Sequence, residues 1–167
     1  MLLRLSEFCD WLKATPLSVA IQSVSWLIPA VQTVHILAIA SLIGASLAMS
    51  LHLLGVSART ESSRDVAARY LPILWWALPI LLASGAVLII AEPARSLKNP
   101  VMALKMALLL VACIATLAFQ LPLRRDASFW RVTRARALTA KSLALLSLGL
   151  WVGVIFAGRW IAYVEAL

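Results

Sequence analysis

The fold is decided by residues 27–54, which read LIPAVQTVHILAIASLIGASLAMSLHLL. This stretch contains two histidines and no acidic or other basic side chain. It exceeds the roughly 20 apolar residues that a helix needs to cross the hydrocarbon core of a bilayer. Three further stretches also qualify, at residues 71–91, 100–122 and 143–164. We therefore predict an all-α protein, a bundle of four transmembrane helices.

The composition indicates that lipid surrounds most of the chain. Of its 167 residues, 63% are hydrophobic and 13% are charged, whereas a soluble domain is about half apolar and about a quarter charged. The four stretches leave no room for a second domain, so we predict a single membrane domain over residues 1–167. The net charge of +8 lies mostly between the apolar stretches, where lipid headgroups and topology explain it. We therefore expect the lipid bilayer and no nucleic acid as a partner.

We expect no cleavable signal peptide at the N-terminus. Glu7, Asp10 and Lys13 interrupt the apolar run that such a peptide requires. Apolar side chains recur there at helical spacing, Trp11 among them. This pattern predicts a short interfacial helix over residues 5–13.

The distribution of lysine and arginine predicts the orientation of the bundle. The connections after the first and third stretches carry nine such residues: Arg59, Arg64, Arg69, Arg124, Arg125, Arg131, Arg134, Arg136 and Lys141. The opposite side, with both chain ends, carries five: Arg4, Lys13, Arg95, Lys98 and Arg159. Because positive residues accumulate in cytoplasmic loops, both termini are expected on the outer side.

Both histidines fall on one predicted helix face. Positions 35, 38, 42, 45, 49 and 52 follow the three-four spacing of a packing seam, which carries His35 and His52. These two lie 17 residues apart (52 − 35), about 25 Å at 1.5 Å per residue. They therefore lie at different depths and belong to different sites.

Ionisable side chains from three stretches fall in one layer near the outer side. By helical rise, His35, Lys105 and Arg159 lie at similar depths. Placing a lysine or arginine at the membrane centre costs about 2.5–3.5 kcal/mol on insertion scales, so such residues suggest function. Two structural alternatives stay open: the cations can extend to the interface, and the imidazole can make a hydrogen bond between helices.

This layer has the chemistry of a haem site. Imidazole is an axial ligand of haem iron, and cations neutralise the two propionates, which are costly to bury. The layer therefore predicts haem b, with His35 as metal ligand and with Lys105 and Arg159 as cofactor contacts. The remaining histidine, His52, shares a helix with His35. The candidates for a sixth ligand in this chain are Lys105, Met102 and Met106. Otherwise the iron is five-coordinate, or a second subunit supplies the ligand.

Other chemistries have little support in the sequence. Copper favours clustered methionine and histidine, and the sequence has no Met-x-x-Met or histidine-rich cluster. The two cysteines, Cys9 and Cys113, form no Cys-x-x-Cys pair. No nucleotide-binding loop or hydrolase motif occurs either.

Several short motifs resemble those of known membrane proteins: Pro29, His35-Ile36, Leu53-Leu54-Gly55, Asn99-Pro100 before Lys105, and Gly158-Arg159-Trp160-Ile161-Ala162-Tyr163. Over about residues 24–164 the chain resembles an uncharacterised family of four-helix bacterial membrane proteins. More distantly, it is similar to HemJ-type protoporphyrinogen oxidases and to the membrane domain of CopD-type copper-resistance proteins. The resemblance implies location in the bacterial inner membrane.

The HemJ-type resemblance also implies roles for two residues. In those proteins a first-helix histidine binds haem and a third-helix lysine is essential, which implies a ligand role for His35 and a catalytic role for Lys105. The chain departs from the pattern late in the third stretch, where it reads Phe119-Gln120 in place of an aromatic-histidine pair.

Together these features lead us to expect a haem-binding membrane protein with an electron-transfer or oxidoreductase role. Its partner would be a quinone or a porphyrin-like compound. The alternative is a cofactor-free protein: a small transporter, or a scaffold subunit in a homo-oligomer or a larger membrane complex. In that case the outer polar layer is a substrate site or a network of interhelical hydrogen bonds.

Overall fold

The computed structural model describes residues 2–55, 63–126, 129–161 and 163–164. Within these ranges the chain is helical and forms no strand, which confirms the all-α prediction. The helices are α1 (Leu2–Lys13), α2 (Pro16–Ser23), α3 (Leu27–Leu54), α4 (Ser63–Ala91), α5 (Pro93–Leu97), α6 (Pro100–Arg125) and α7 (Arg134–Trp160), with a 3₁₀ turn at Phe129–Arg131. The predicted connection with Arg59 lies outside the described residues.

Four of these helices, α3, α4, α6 and α7, are long and apolar enough to cross a membrane, so the four-helix prediction is confirmed. Two begin earlier than the apolar stretches do. α4 starts at Ser63 and α7 at Arg134, and α7 ends at Trp160. Hydropathy marks only the hydrocarbon crossing, whereas the start of α7 is set by a cap: Thr133 Oγ1 accepts a hydrogen bond from the Arg136 backbone N–H at 3.2 Å.

The four long helices pack as two antiparallel pairs. α3 lies along α4, α6 lies along α7, and contacts between α3 and α7 join the pairs. α4 and α6 touch only slightly. Going around the bundle, the order is α4, α3, α7, α6, which places α3 and α6 diagonally opposite and leaves a gap between α4 and α6.

The predicted seam of α3 forms the inner face of that helix. From Ala38 through Leu42 to His52, its side chains are at most 7% exposed. α7 carries Gly149 and Gly153 in a Gly-x-x-x-Gly spacing, and only Gly153 packs against a neighbouring helix. A Cβ added to Gly153 would lie 3.4 Å from Leu108 Cδ1, whereas one added to Gly149 would meet nothing within 4 Å. Gly149 is exposed, because the buried residues of α7 lie on another side of that helix.

Three short helices surround the end of α4 that lies near the chain's N-terminus. α1 confirms the predicted N-terminal helix and starts three residues earlier, while α2 and α5 were not predicted. The Ser18 hydroxyl of α2 donates to the Ile90 carbonyl at 2.8 Å. Lys98 Nζ donates to Ser6 Oγ at 3.1 Å. Trp11 remains 63% exposed, as an interfacial helix requires.

Candidate functional site

His35 is held in place by a serine of the neighbouring helix α4. His35 Nδ1 and Ser84 Oγ are 2.9 Å apart. The Ser84 hydroxyl lies 2.6 Å from the Ile80 carbonyl, to which it donates, as serines inside helices commonly do. Since that hydroxyl has a single hydrogen, the His35 Nδ1–H donates to Ser84. In the neutral imidazole, Nε2 therefore keeps its lone pair and accepts or binds a metal.

The imidazole of His35 also lies against the backbone of α4. A Cβ added to Gly85 would come within 3.3 Å of His35 Cε1, so a side chain there would displace the ring. Our sequence reasoning did not identify Ser84 or Gly85. The sequence feature that could have identified them is that two adjacent small residues, Ser84 and Gly85, lie at the depth of His35 in an otherwise mostly bulky helix.

Lys105 occupies a corresponding slot on the other side of the bundle. Its side chain is half-buried and passes over Gly158 of α7, where an added Cβ would lie 3.6 Å from both Cε and Nζ. Lys105 lies within electrostatic reach of His35. Among the described residues, no carboxylate or hydrogen-bond partner accompanies its ammonium group. The structure does not describe Glu165.

All four long helices thus contribute to one polar layer, which we call the His35–Lys105 layer. Its members are His35 on α3, Ser84 and Gly85 on α4, Lys105 on α6, and Gly158 on α7. The two long side chains come from diagonally opposite helices, and a glycine on each remaining helix makes room for one of them. The layer combines a nitrogen acceptor with a cationic donor.

One turn deeper, apolar packing closes the core. The side chains there are buried: Ala38, Leu81, Leu109 and Val154. The polar layer therefore lies at one end of the core, directly beside buried apolar side chains.

The other predicted site residues lie around this layer or away from it. Arg159 is not brought into it: its side chain is exposed, and Nη2 donates to the Tyr163 hydroxyl at 3.1 Å. Met102 is half-buried and lies one turn before Lys105 on the same side of α6. Met106 is 46% exposed, and His52 is buried at the opposite end of α3.

Asn99 fixes the two helices that carry Lys105 and Gly158. It is 2% exposed, and its Oδ1 caps α6 by accepting from the Val101 N–H at 2.9 Å. Its Nδ2 donates to the carbonyls of Ile161 at 3.1 Å and Val164 at 2.9 Å. One side chain thus joins the start of α6 to the segment that follows α7. Our sequence reasoning used Asn99 only as part of a family motif.

A second feature is an apolar crevice at mid-height of the bundle, which we call the α4–α6 crevice. Its cavity volume is about 60 Å³, and it is open to the surroundings on one side. All four long helices line it. Representative lining residues are Leu42, Trp75, Leu78, Cys113, Thr116 and Trp151.

No cluster of metal ligands accompanies these features. Within the described ranges, no group of three or more His, Cys, Asp or Glu side chains could hold a metal ion. Haem iron needs only one or two axial side chains, so the layer fits that group chemically.

The fold and the polar layer define a class: multi-pass α-helical membrane proteins with a polar site inside the helix bundle. The chain belongs to a family described as "Family of unknown function (DUF6644)", whose pattern matches residues 10–164. No curated protein and no solved structure matches it significantly. The more distant similarity to HemJ-type and CopD-type proteins is therefore not supported by these comparisons and stays a prediction.

Proposed function

We propose that this protein binds one b-type haem in the His35–Lys105 layer and transfers electrons to or from a membrane-soluble quinone or porphyrin-like partner. The observation that carries the proposal is the hydrogen bond from His35 to Ser84. Metal-binding histidines almost always donate their second ring N–H to a fixed acceptor, which orients the ring. Ser84 is such an acceptor, and it leaves Nε2 as the iron ligand.

Lys105 is the second residue of the proposed site. A buried propionate is costly unless it is paired, and the Lys105 ammonium has three N–H donors. Those donors can form hydrogen bonds to a propionate and to an oxygen atom of the redox partner at the same time. This is the catalytic role that we assign to Lys105. Arg159 is left out because its guanidinium is exposed and bonded to Tyr163. Met102, beside Lys105, is the candidate sixth ligand.

A visible spectrum tests the haem proposal. We expect protein expressed with a haem precursor and purified in mild detergent to show a Soret band, with a sharpened α-band after dithionite. His35→Ala should remove both bands because it removes the iron ligand. His52→Ala is the matched control, a buried histidine at the other end of the same helix, and should keep the spectrum. A colourless wild-type protein, or the reverse pattern in the two variants, would overturn the proposal.

The second candidate function is cofactor-free, as a small transporter or a scaffold subunit. The observation that favours it is the Lys105 ammonium, which has no anionic partner among the described residues and suits an anionic substrate. Protein that stays colourless with haem supplied, and that binds a small anion only while Lys105 is present, would support this candidate over haem.

For the location we propose the bacterial inner membrane, with both termini on the periplasmic side. The support is the excess of lysine and arginine in the connections after α3 and α6. The His35–Lys105 layer would then lie in the periplasmic half of the bilayer.

A further inference from the structure

The α4–α6 crevice lies where the bundle is least tightly closed. α4 and α6 are neighbours that touch only slightly, whereas the other neighbouring pairs are in more extensive contact. Trp75, which lines the crevice from α4, is 43% exposed on the outside of the bundle. Trp151, which lines it from α7, is only 2% exposed. The crevice therefore extends from the lipid side towards the core.

The Thr116 hydroxyl at this crevice is already engaged. The Thr116 hydroxyl donates to the Ala112 carbonyl at 2.7 Å. The same oxygen lies 3.1 Å from Ser147 Oγ and accepts from Trp151 Nε1 at 3.3 Å. With its hydrogen donated and its lone pairs occupied, Thr116 offers nothing further to a ligand. The crevice therefore suits hydrocarbon and does not suit a polar head group.

The crevice and the His35–Lys105 layer lie along the same two helices. On α6, Lys105 and Cys113 are eight residues apart (113 − 105), about 12 Å by helical rise. On α4, Ser84 and Leu78 are six residues apart (84 − 78), about 9 Å by the same rise. A molecule with its head at the layer would therefore need a tail of about ten ångströms that runs past Leu81 and Leu109, on the lipid side of the gap, to enter the crevice.

We propose that the α4–α6 crevice holds a segment of the hydrocarbon chain of a membrane quinone whose ring lies at the His35–Lys105 layer. The uncharged ring can enter the membrane to the depth of Lys105, whose ammonium donates to a ring carbonyl. Phospholipid headgroups are charged and remain at the interface, above the depth of Lys105. This inference rests on the proposed function for the choice of a redox partner.

Quinone binding to the purified protein in nanodiscs tests the inference, with tryptophan fluorescence quenching as the readout. Two quinones are compared, identical in the ring, one with a ten-carbon chain and one without a chain. The hydrocarbon chain of the quinone moves from lipid into protein, so the gain in affinity comes from packing and not from the release of water. We expect the quinone with the chain to bind about fivefold more tightly than the one without it. Empty nanodiscs with free tryptophan correct for partitioning.

Filling variants separate chain binding from ring binding. Cys113→Phe should abolish the tighter binding of the quinone that has the chain, and it should leave the affinity for the chainless quinone unchanged. Ile114→Phe is the matched control, because its side chain is 57% exposed on the outside of the same helix. Leu78→Phe fills the crevice from the opposite wall and replaces Cys113→Phe if that variant does not fold. Lys105→Met should weaken both quinones equally.

The inference would be overturned if the filling variants lost affinity equally for both quinones, or lost affinity for neither. Decanoic acid that competes as strongly as the chain-bearing quinone would also overturn it, in favour of a fatty acid. These outcomes do not depend on haem. The absence of a Soret band would contradict the proposed cofactor. The absence of any difference between the two quinones would contradict the crevice as a binding site.

Discussion

At His35, one serine hydroxyl determines which ring nitrogen is available. Because Ser84 donates its hydrogen to the Ile80 carbonyl, it can only accept from His35. We predict that Ser84→Ala weakens haem binding about 10- to 100-fold, the usual effect of losing the group that orients a ligating histidine. Titration of the haem-free protein, followed at the Soret band, measures this change. Alanine is the better helix former, so α4 should persist.

Ser41→Ala is the matched control for that substitution. Ser41 makes the same bond within its own helix, to the Leu37 carbonyl at 2.8 Å, but it is exposed and meets no histidine. Its replacement should leave haem affinity unchanged. Equal affinities for wild type and Ser84→Ala would show that the serine does not orient the ring.

Sequence alone identified part of the candidate site. Helical spacing and depth placed His35 and Lys105 in one layer, because both depend only on position along a helix. The same reasoning included Arg159, but depth does not determine the direction of a side chain, and Arg159 points to Tyr163. Gly85 and Gly158 could not be assigned in this way, because their role depends on which side chain of another helix lies opposite.

At the scale of helices, Asn99 and Thr133 give a direct comparison, since each caps one long helix. Thr133→Ala removes only a cap, which costs about 1 kcal/mol. Asn99→Ala removes a cap and two hydrogen bonds to the segment after α7, each worth about 0.5–1.5 kcal/mol. We therefore predict that Asn99→Ala lowers the free energy of unfolding by about 2–4 kcal/mol.

Reversible unfolding in mixed detergent micelles measures both variants under the same conditions. Asn99→Asp supplies a further comparison, because it keeps the capping oxygen and loses the two donated bonds. Its loss in free energy of unfolding should equal or exceed that of Asn99→Ala, because its second carboxylate oxygen faces the carbonyl oxygens of Ile161 and Val164. If Asn99→Ala and Thr133→Ala are equally destabilised, the bonds to Ile161 and Val164 contribute nothing.

The helices themselves divide into those that hydropathy predicts and those that it does not. α3, α4, α6 and α7 were predicted because a helix that crosses lipid needs a long apolar run. α2 and α5 are short, with 8 and 5 residues, and isolated helices of that length are marginal in water. They depend on contacts such as Ser18 with Ile90, which local sequence does not reveal.

At the scale of the whole molecule, α7 is longer than the hydrocarbon core of a bilayer is thick. Its 27 residues span about 40 Å at 1.5 Å per residue, against about 30 Å of hydrocarbon. The excess lies at its start, which carries Arg134, Arg136 and Lys141. Arg136 lies over the Phe129 ring, with Cζ 4.4 Å from the ring centroid. This basic end suits the cytoplasmic headgroup region.

The orientation can be tested with cysteines at the two ends of the bundle. In a Cys9→Ala, Cys113→Ala background, Ser25→Cys introduces an exposed thiol before α3, and Ala135→Cys introduces one at the start of α7. With both termini periplasmic, an impermeant maleimide should label the first in intact spheroplasts and the second only after permeabilisation. The reverse labelling would place the His35–Lys105 layer in the cytoplasmic half, where electrons would exchange with partners on that side.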